Sequence, residues 1–145
     1  MMTVPARPVY MTFVNLLYGV VLLFWMSLED NGVLSVSLLA LGTVVLYAGD
    51  WLWRRYTGQS FPQKIWLPTI LILGVLLGSL ANLVTVMLMF FKTAWHGHIF
   101  PDYPNAIMLA TLQRLPVWAG AGALLGLGVG LFVLSFISSS KATAE

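Results

Sequence analysis

Residues 65–91 read IWLPTILILGVLLGSLANLVTVMLMFF. No Asp, Glu, Lys or Arg interrupts these 27 residues. A helix of about 20 predominantly apolar residues crosses a hydrocarbon core of about 30 Å. The stretch does not alternate apolar and polar residues, as a membrane β-barrel strand would. Three further windows, 8–28, 31–49 and 115–140, are equally free of charge and hold 21, 19 and 26 residues. The pattern predicts an all-α integral membrane protein with four transmembrane helices in one bundle. The expected spans are about 9–28, 33–53, 67–91 and 116–137, within a single transmembrane domain over 1–145.

Composition supports this reading. Of 145 residues, 59% are hydrophobic and 8% charged, with a mean hydropathy of +0.90. Soluble domains carry about 25% charged residues, and a fold of this size buries only about two-thirds of its chain surface. A soluble globular domain and a disordered chain are therefore excluded. Seven Lys and Arg against five Asp and Glu make no basic face, so nucleic acid is not an expected partner. The absence of Cys removes disulfides, thiolate metal sites and thiol chemistry, including that of membrane thiol oxidoreductases. Small multidrug exporters carry a membrane-embedded Glu in their first span, and residues 8–28 have none. The first apolar run is too long for a signal-peptide core and ends without a small-x-small cleavage site, so it reads as a retained span.

The connections set the order in space. Glu29-Asp30-Asn31-Gly32 is a tight polar turn, which makes the first two spans an antiparallel hairpin. Pro68 suits the first turn of the third span. Residues 105–115 look helical, but a straight helix over 105–137 would be about 50 Å long. The segment of about 103–115 is therefore expected either to lie along the membrane surface, as a short interfacial helix before the fourth span, or to break near Pro116. With the N-terminus inside, Arg7, Arg54, Arg55, Lys64 and Lys141 face the cytoplasm, and Lys92 and Arg114 the other side. Five against two favours N-in and C-in.

Helices in lipid associate through close backbone approach and interhelical hydrogen bonds. Gly74 and Gly78 on the third span, and Gly122, Gly126 and Gly130 on the fourth, form small-residue faces suited to helix packing, within the bundle or between copies. Asn15, Asn82 and Thr85 fall inside spans, where they would act as interhelical clasps or line a polar path. Asp50 and Arg54, four residues apart, share a helix face and suit an interfacial ion pair.

The stretch 92–104, KTAWHGHIFPDYP, holds both histidines. His96 and His98 are candidate cofactor ligands for a haem or chlorophyll-type group, and with Asp102 they form a candidate divalent-metal set. They would also serve as a proton relay. No specific cofactor follows from the residues. No phosphate loop, hydrolase motif or midplane carboxylate pair is present. The leading expectation is a non-catalytic accessory or structural subunit of a larger membrane complex. The alternatives are a small homo-oligomeric transporter or channel, and a haem-, pigment- or metal-binding membrane protein. The expected partners are the lipid bilayer and other membrane subunits or further copies. The expected location is a bacterial inner membrane or a comparable energy-coupling membrane.

Overall fold

The computed structural model describes residues 2–97 and 99–142. Its helices are α1 (Met11–Met26), α2 (Val33–Tyr56), α3 (Gln63–His96), α4 (Asn105–Leu112) and α5 (Leu115–Ala142). Among the described residues three stretches are long and apolar enough to cross a membrane: Val33–Tyr56, Lys64–His96 and Leu115–Ser135. Helix α1 is equally apolar but has 16 residues, about 24 Å, less than the roughly 30 Å hydrocarbon core.

Local chemistry sets the helix ends. Asp30 Oδ1 accepts the Gly32 N–H at 2.9 Å, closing the turn that reverses the chain before α2. Pro62 immediately precedes α3, which starts at Gln63, so Pro68 lies inside the helix rather than in its first turn. Gly97 has φ 60°, and its N–H donates to the Thr93 carbonyl, ending α3 in a left-handed cap. The Arg114 carbonyl accepts the N–H groups of Val117 and Trp118 and opens α5. Within α2, residues Val44–Ala48 form a π-helical turn. Such a turn holds one extra residue and rotates the remainder of α2 relative to a regular helix.

Helices α1, α2 and α3 alternate in direction, and α4 and α5 both run antiparallel to α3. Val36 of α2 packs in one cluster with Met89 of α3, and residues 41–45 meet residues 70–78. Between α3 and α5 the backbones touch. A Cβ on Gly74 would collide with the Gly122 carbonyl, one on Gly78 with the Trp118 carbonyl, and one on Gly126 would sit 2.6 Å from the Ile70 carbonyl. Only glycine permits this approach.

Helix α4 continues the same register. Asn82 Nδ2–H donates to the Thr111 carbonyl at 2.8 Å, and the Tyr103 N–H donates to Thr93 Oγ1. Residues 103–135 thus descend along α3, broken at Gln113–Arg114. Residues 105–112 are a separate helix, with the break at Gln113–Arg114 rather than at Pro116. The cause is Asn82: its amide sits at half-height on α3 and holds the end of α4 there.

At the end of the bundle that carries the N-terminus, here the proximal end, Met2–Thr3 (β1) pairs antiparallel with Ser60–Phe61 (β2). Trp53 Nε1–H donates to the Pro5 carbonyl at 2.9 Å. These bonds tie the N-terminal arm to the α2–α3 connection.

Candidate functional site

The polar side chains separate into a distal cluster, a proximal cluster and a few groups at mid-height. The distal cluster is built on Lys92, which is fully buried near the end of α3. A buried ammonium needs acceptors. Its Nζ donates to the carbonyls of Asp30 (2.5 Å) and Trp25 (3.4 Å) and lies 4.0 Å from the centroid of the Trp25 ring. The Trp25 indole N–H in turn donates to Asp30 Oδ2 at 3.0 Å. The Tyr103 hydroxyl, fully buried, faces the Asp30 and Gly32 carbonyls at 3.4 Å each. One network therefore joins the end of α1, the first turn, the end of α3 and the loop before α4. The Trp25 hydrogen bond, more than any other contact, holds the Asp30 carboxyl below its usual range. Burial pushes the Tyr103 hydroxyl up from 10.0 to about 12, with Asp30 and Asp102 adding to the rise.

Beside this network His96 Nδ1 meets Asp102 Oδ2 at 2.5 Å, both side chains being about seven-eighths buried (12% and 13% exposed). A carboxylate on one ring nitrogen orients the imidazole, as it does behind many metal-bound histidines. His98 lies outside the described residues. Among the described residues no group of three His, Cys, Asp or Glu side chains converges to hold a metal ion.

The proximal cluster centres on Asp50, whose exposure is 5%. Arg54 Nε–H donates to its Oδ2 at 3.0 Å, four residues along the same helix. Two more partners come from elsewhere. Arg7 donates through Nε and, at 3.2 Å, through a terminal nitrogen, and Asn15 Nδ2–H donates at 3.1 Å. Arg7 also reaches Thr12 Oγ1 at 3.0 Å. Tyr47 donates to the Asn15 carbonyl at 2.8 Å. A shallow notch of about 430 Å³ opens beside Asn15, Asp50, Trp51 and Arg54.

At mid-height, Asn82 and Thr85 are fully buried. Asn82 is tied to the Thr111 carbonyl, and the Thr85 hydroxyl donates to the Ala81 carbonyl at 2.8 Å. The Oδ1 atoms of Asn15 and Asn82 are buried without a hydrogen-bond partner among the described residues. Asn15 and Asn82 are far apart, the first in the proximal cluster and the second against α4. Gly74, Gly78, Gly122 and Gly126 face one another in the α3–α5 seam, and Gly130 abuts Leu67 and Ile70.

Sequence reading missed Arg7 as a ligand of Asp50 and Lys92 and Tyr103 as buried groups. Lys92 carried a usable signal: a lone cation ending a long apolar helix needs acceptors, and the acidic Glu29-Asp30 turn offers them. The chain was compared with protein-family models, curated proteins and solved structures, and none of these matches it.

Proposed function

We propose that this protein is a non-catalytic subunit of a larger membrane assembly, crossing the bilayer four times with both termini inside, in a bacterial inner or comparable membrane. On this reading α1 is the fourth crossing, completed by the residues flanking Met11–Met26. The observation that carries the proposal is the use made of the mid-height polar groups: Asn82 and Thr85 bond to backbone carbonyls of the bundle. They behave as clasps between or within helices, a role that favours a scaffold over a conduit. The five glycines of the paired faces likewise serve the internal seam, which leaves the outer face of α5 for something else.

The experiment is purification of the full chain from its native membrane in mild detergent, followed by intact-complex mass measurement. A heterologous subunit at fixed stoichiometry supports the proposal. A symmetric homo-oligomer without a second polypeptide contradicts it and favours the transporter reading. In that case liposome flux carried by the protein should fall in Asn82→Leu. Colour or bound metal in the same sample would favour the reading based on His96, where Asp102 already orients the ring.

A further inference from the structure

Arg114 sits in the break between α4 and α5. Two contacts fix its height: Thr111 is held at Asn82, and Trp118 lies against Gly78. Arg114 is therefore level with residues 78–82, near the middle of a helix about 51 Å long. The charged groups at the two ends, Arg7, Asp50 and Arg54 on one side and Asp30, Lys92 and Asp102 on the other, are both remote from it. Arg114 is exposed. Among the described residues its side chain has no hydrogen-bond or ion-pair partner. Apart from Gln113 beside it, the exposed residues around it on the chain, Leu109, Leu112 and Val117, are apolar, so most of the surface around it suits hydrocarbon. An ionised side chain at that depth is costly unless paired.

Directly along α5 from Arg114, at helical spacing, come Trp118, Ala121, Leu125 and Val129. All four line a groove of about 400 Å³ between α2, α3 and α5, floored by the glycine seam. An unanswered cation thus heads an apolar furrow running along a membrane helix.

We infer that Arg114 and this groove are the docking face for a transmembrane helix of a different subunit, one that carries a single Asp or Glu near the middle of its span. The inference rests on the subunit reading above and adds the partner's chemistry. A second copy is a poor source of the group: Glu29, Asp30 and Asp102 lie at the distal end of the bundle and Asp50 at the proximal end, and Glu145 lies outside the described residues. With 103–135 as a whole, rather than Leu115–Ser135 alone, as the crossing that pairs with α3, Arg114 lies about half a bilayer from the headgroup phosphates, and a lipid phosphate is a poorer match. A carboxylate on a neighbouring helix meets the guanidinium at its own depth and with the geometry that favours a two-point contact.

The test uses the full chain in phosphatidylcholine liposomes at pH 8. The probe is a fluorescent synthetic Leu/Ala transmembrane peptide with one Asp at its midpoint, compared with the same peptide bearing Leu there. Energy transfer should report binding of the Asp peptide about fivefold tighter or more than the Leu peptide. Arg114→Gln should abolish that preference, Arg114→Lys should keep part of it, and Ala121→Leu, which fills the groove, should weaken both peptides. Equal binding of the two peptides, or a preference that survives in Arg114→Gln, overturns the inference. So does a preference that added phosphatidylglycerol eliminates in the parent protein, since lipid phosphate would then be the occupant. The native purification separates the two levels. A heterologous partner that remains bound to Arg114→Gln leaves the subunit reading standing and removes this one, whereas a lone homo-oligomer removes the subunit reading itself.

Discussion

Helices α1 and α2 and helices α3 and α5 are both antiparallel neighbours, yet they are joined by opposite means. Between α3 and α5 the backbones touch, and glycine is the condition of contact. Between α1 and α2 long side chains reach across: Tyr18 donates to the Leu39 carbonyl, Tyr47 to the Asn15 carbonyl, and Asp50 gathers Arg7 and Asn15. The first seam relies on dispersion and shape, which tolerate no added atom. The second relies on hydrogen bonds and charge, concentrated toward the proximal end. A seam of the first kind should fail all at once under substitution, and one of the second kind should loosen locally.

The largest expected effect is at the glycine seam. Gly122→Ala places a methyl group into the Gly74 carbonyl and should cost about 3 kcal/mol or more in denaturant unfolding from mixed micelles. Gly120→Ala, two residues away with nothing within 4 Å, should leave stability unchanged or raise it by up to about 1 kcal/mol. Equal effects would break the comparison, because they would mean that any bulk on α5 is harmful. Next in size is Lys92→Met. It preserves volume but removes the ammonium from the Asp30 and Trp25 carbonyls, which keep the Tyr103 hydroxyl and the Leu28 N–H as donors, so the cost should be about 1 kcal/mol in the same assay.

Asp50→Asn should act locally. Amide exchange at the start of α1 should speed several-fold while α3 and α5 stay protected, since the arm before α1, through Arg7, and α1 itself, through Asn15, both lose the carboxylate that ties them to α2. Uniform acceleration over all helices would show that the polar seam is as global as the glycine one.

The smallest effect is a pH limb. The folded protein holds the Tyr103 proton more tightly than the unfolded chain, with a pKa of about 12 against 10.0. Its contribution is therefore complete below pH 10 and is lost as pH rises from 10 toward 12. Tyr103→Phe should cost about 0.5–1 kcal/mol at neutral pH and flatten the stability curve between pH 10 and 12. An unchanged alkaline limb in that variant would assign the limb to another group.

Much of this architecture was legible as text. Charge-free windows mark the long helices because charge in hydrocarbon is expensive, and Gly74, Gly78, Gly122 and Gly126 mark the seam because only they let two backbones touch. Asp50 and Arg54 were paired by helical spacing alone. What one-dimensional pattern does not carry is long-range placement. Arg7 is 43 residues from Asp50, and its role depends on an N-terminal arm pinned by Trp53 and by the β1–β2 pair. Lys92 was countable as a charge but not as a buried one, since its acceptors are backbone carbonyls 62 and 67 residues away. Arg114 reads as a loop charge until Asn82 is seen to hold Thr111 at half-height.

The crossing pattern itself can be measured directly, because the chain has no cysteine of its own. Single cysteines at Asn31→Cys, Ile99→Cys, Gln59→Cys and Ser139→Cys, probed with a membrane-impermeant thiol reagent in oriented vesicles, report which side each position faces. Four crossings with both termini inside predict that positions 31 and 99 react from the outside, and 59 and 139 only after permeabilisation. Reaction of 31 and 59 from the same side would mean that α2 does not cross, and the four-crossing arrangement would be wrong.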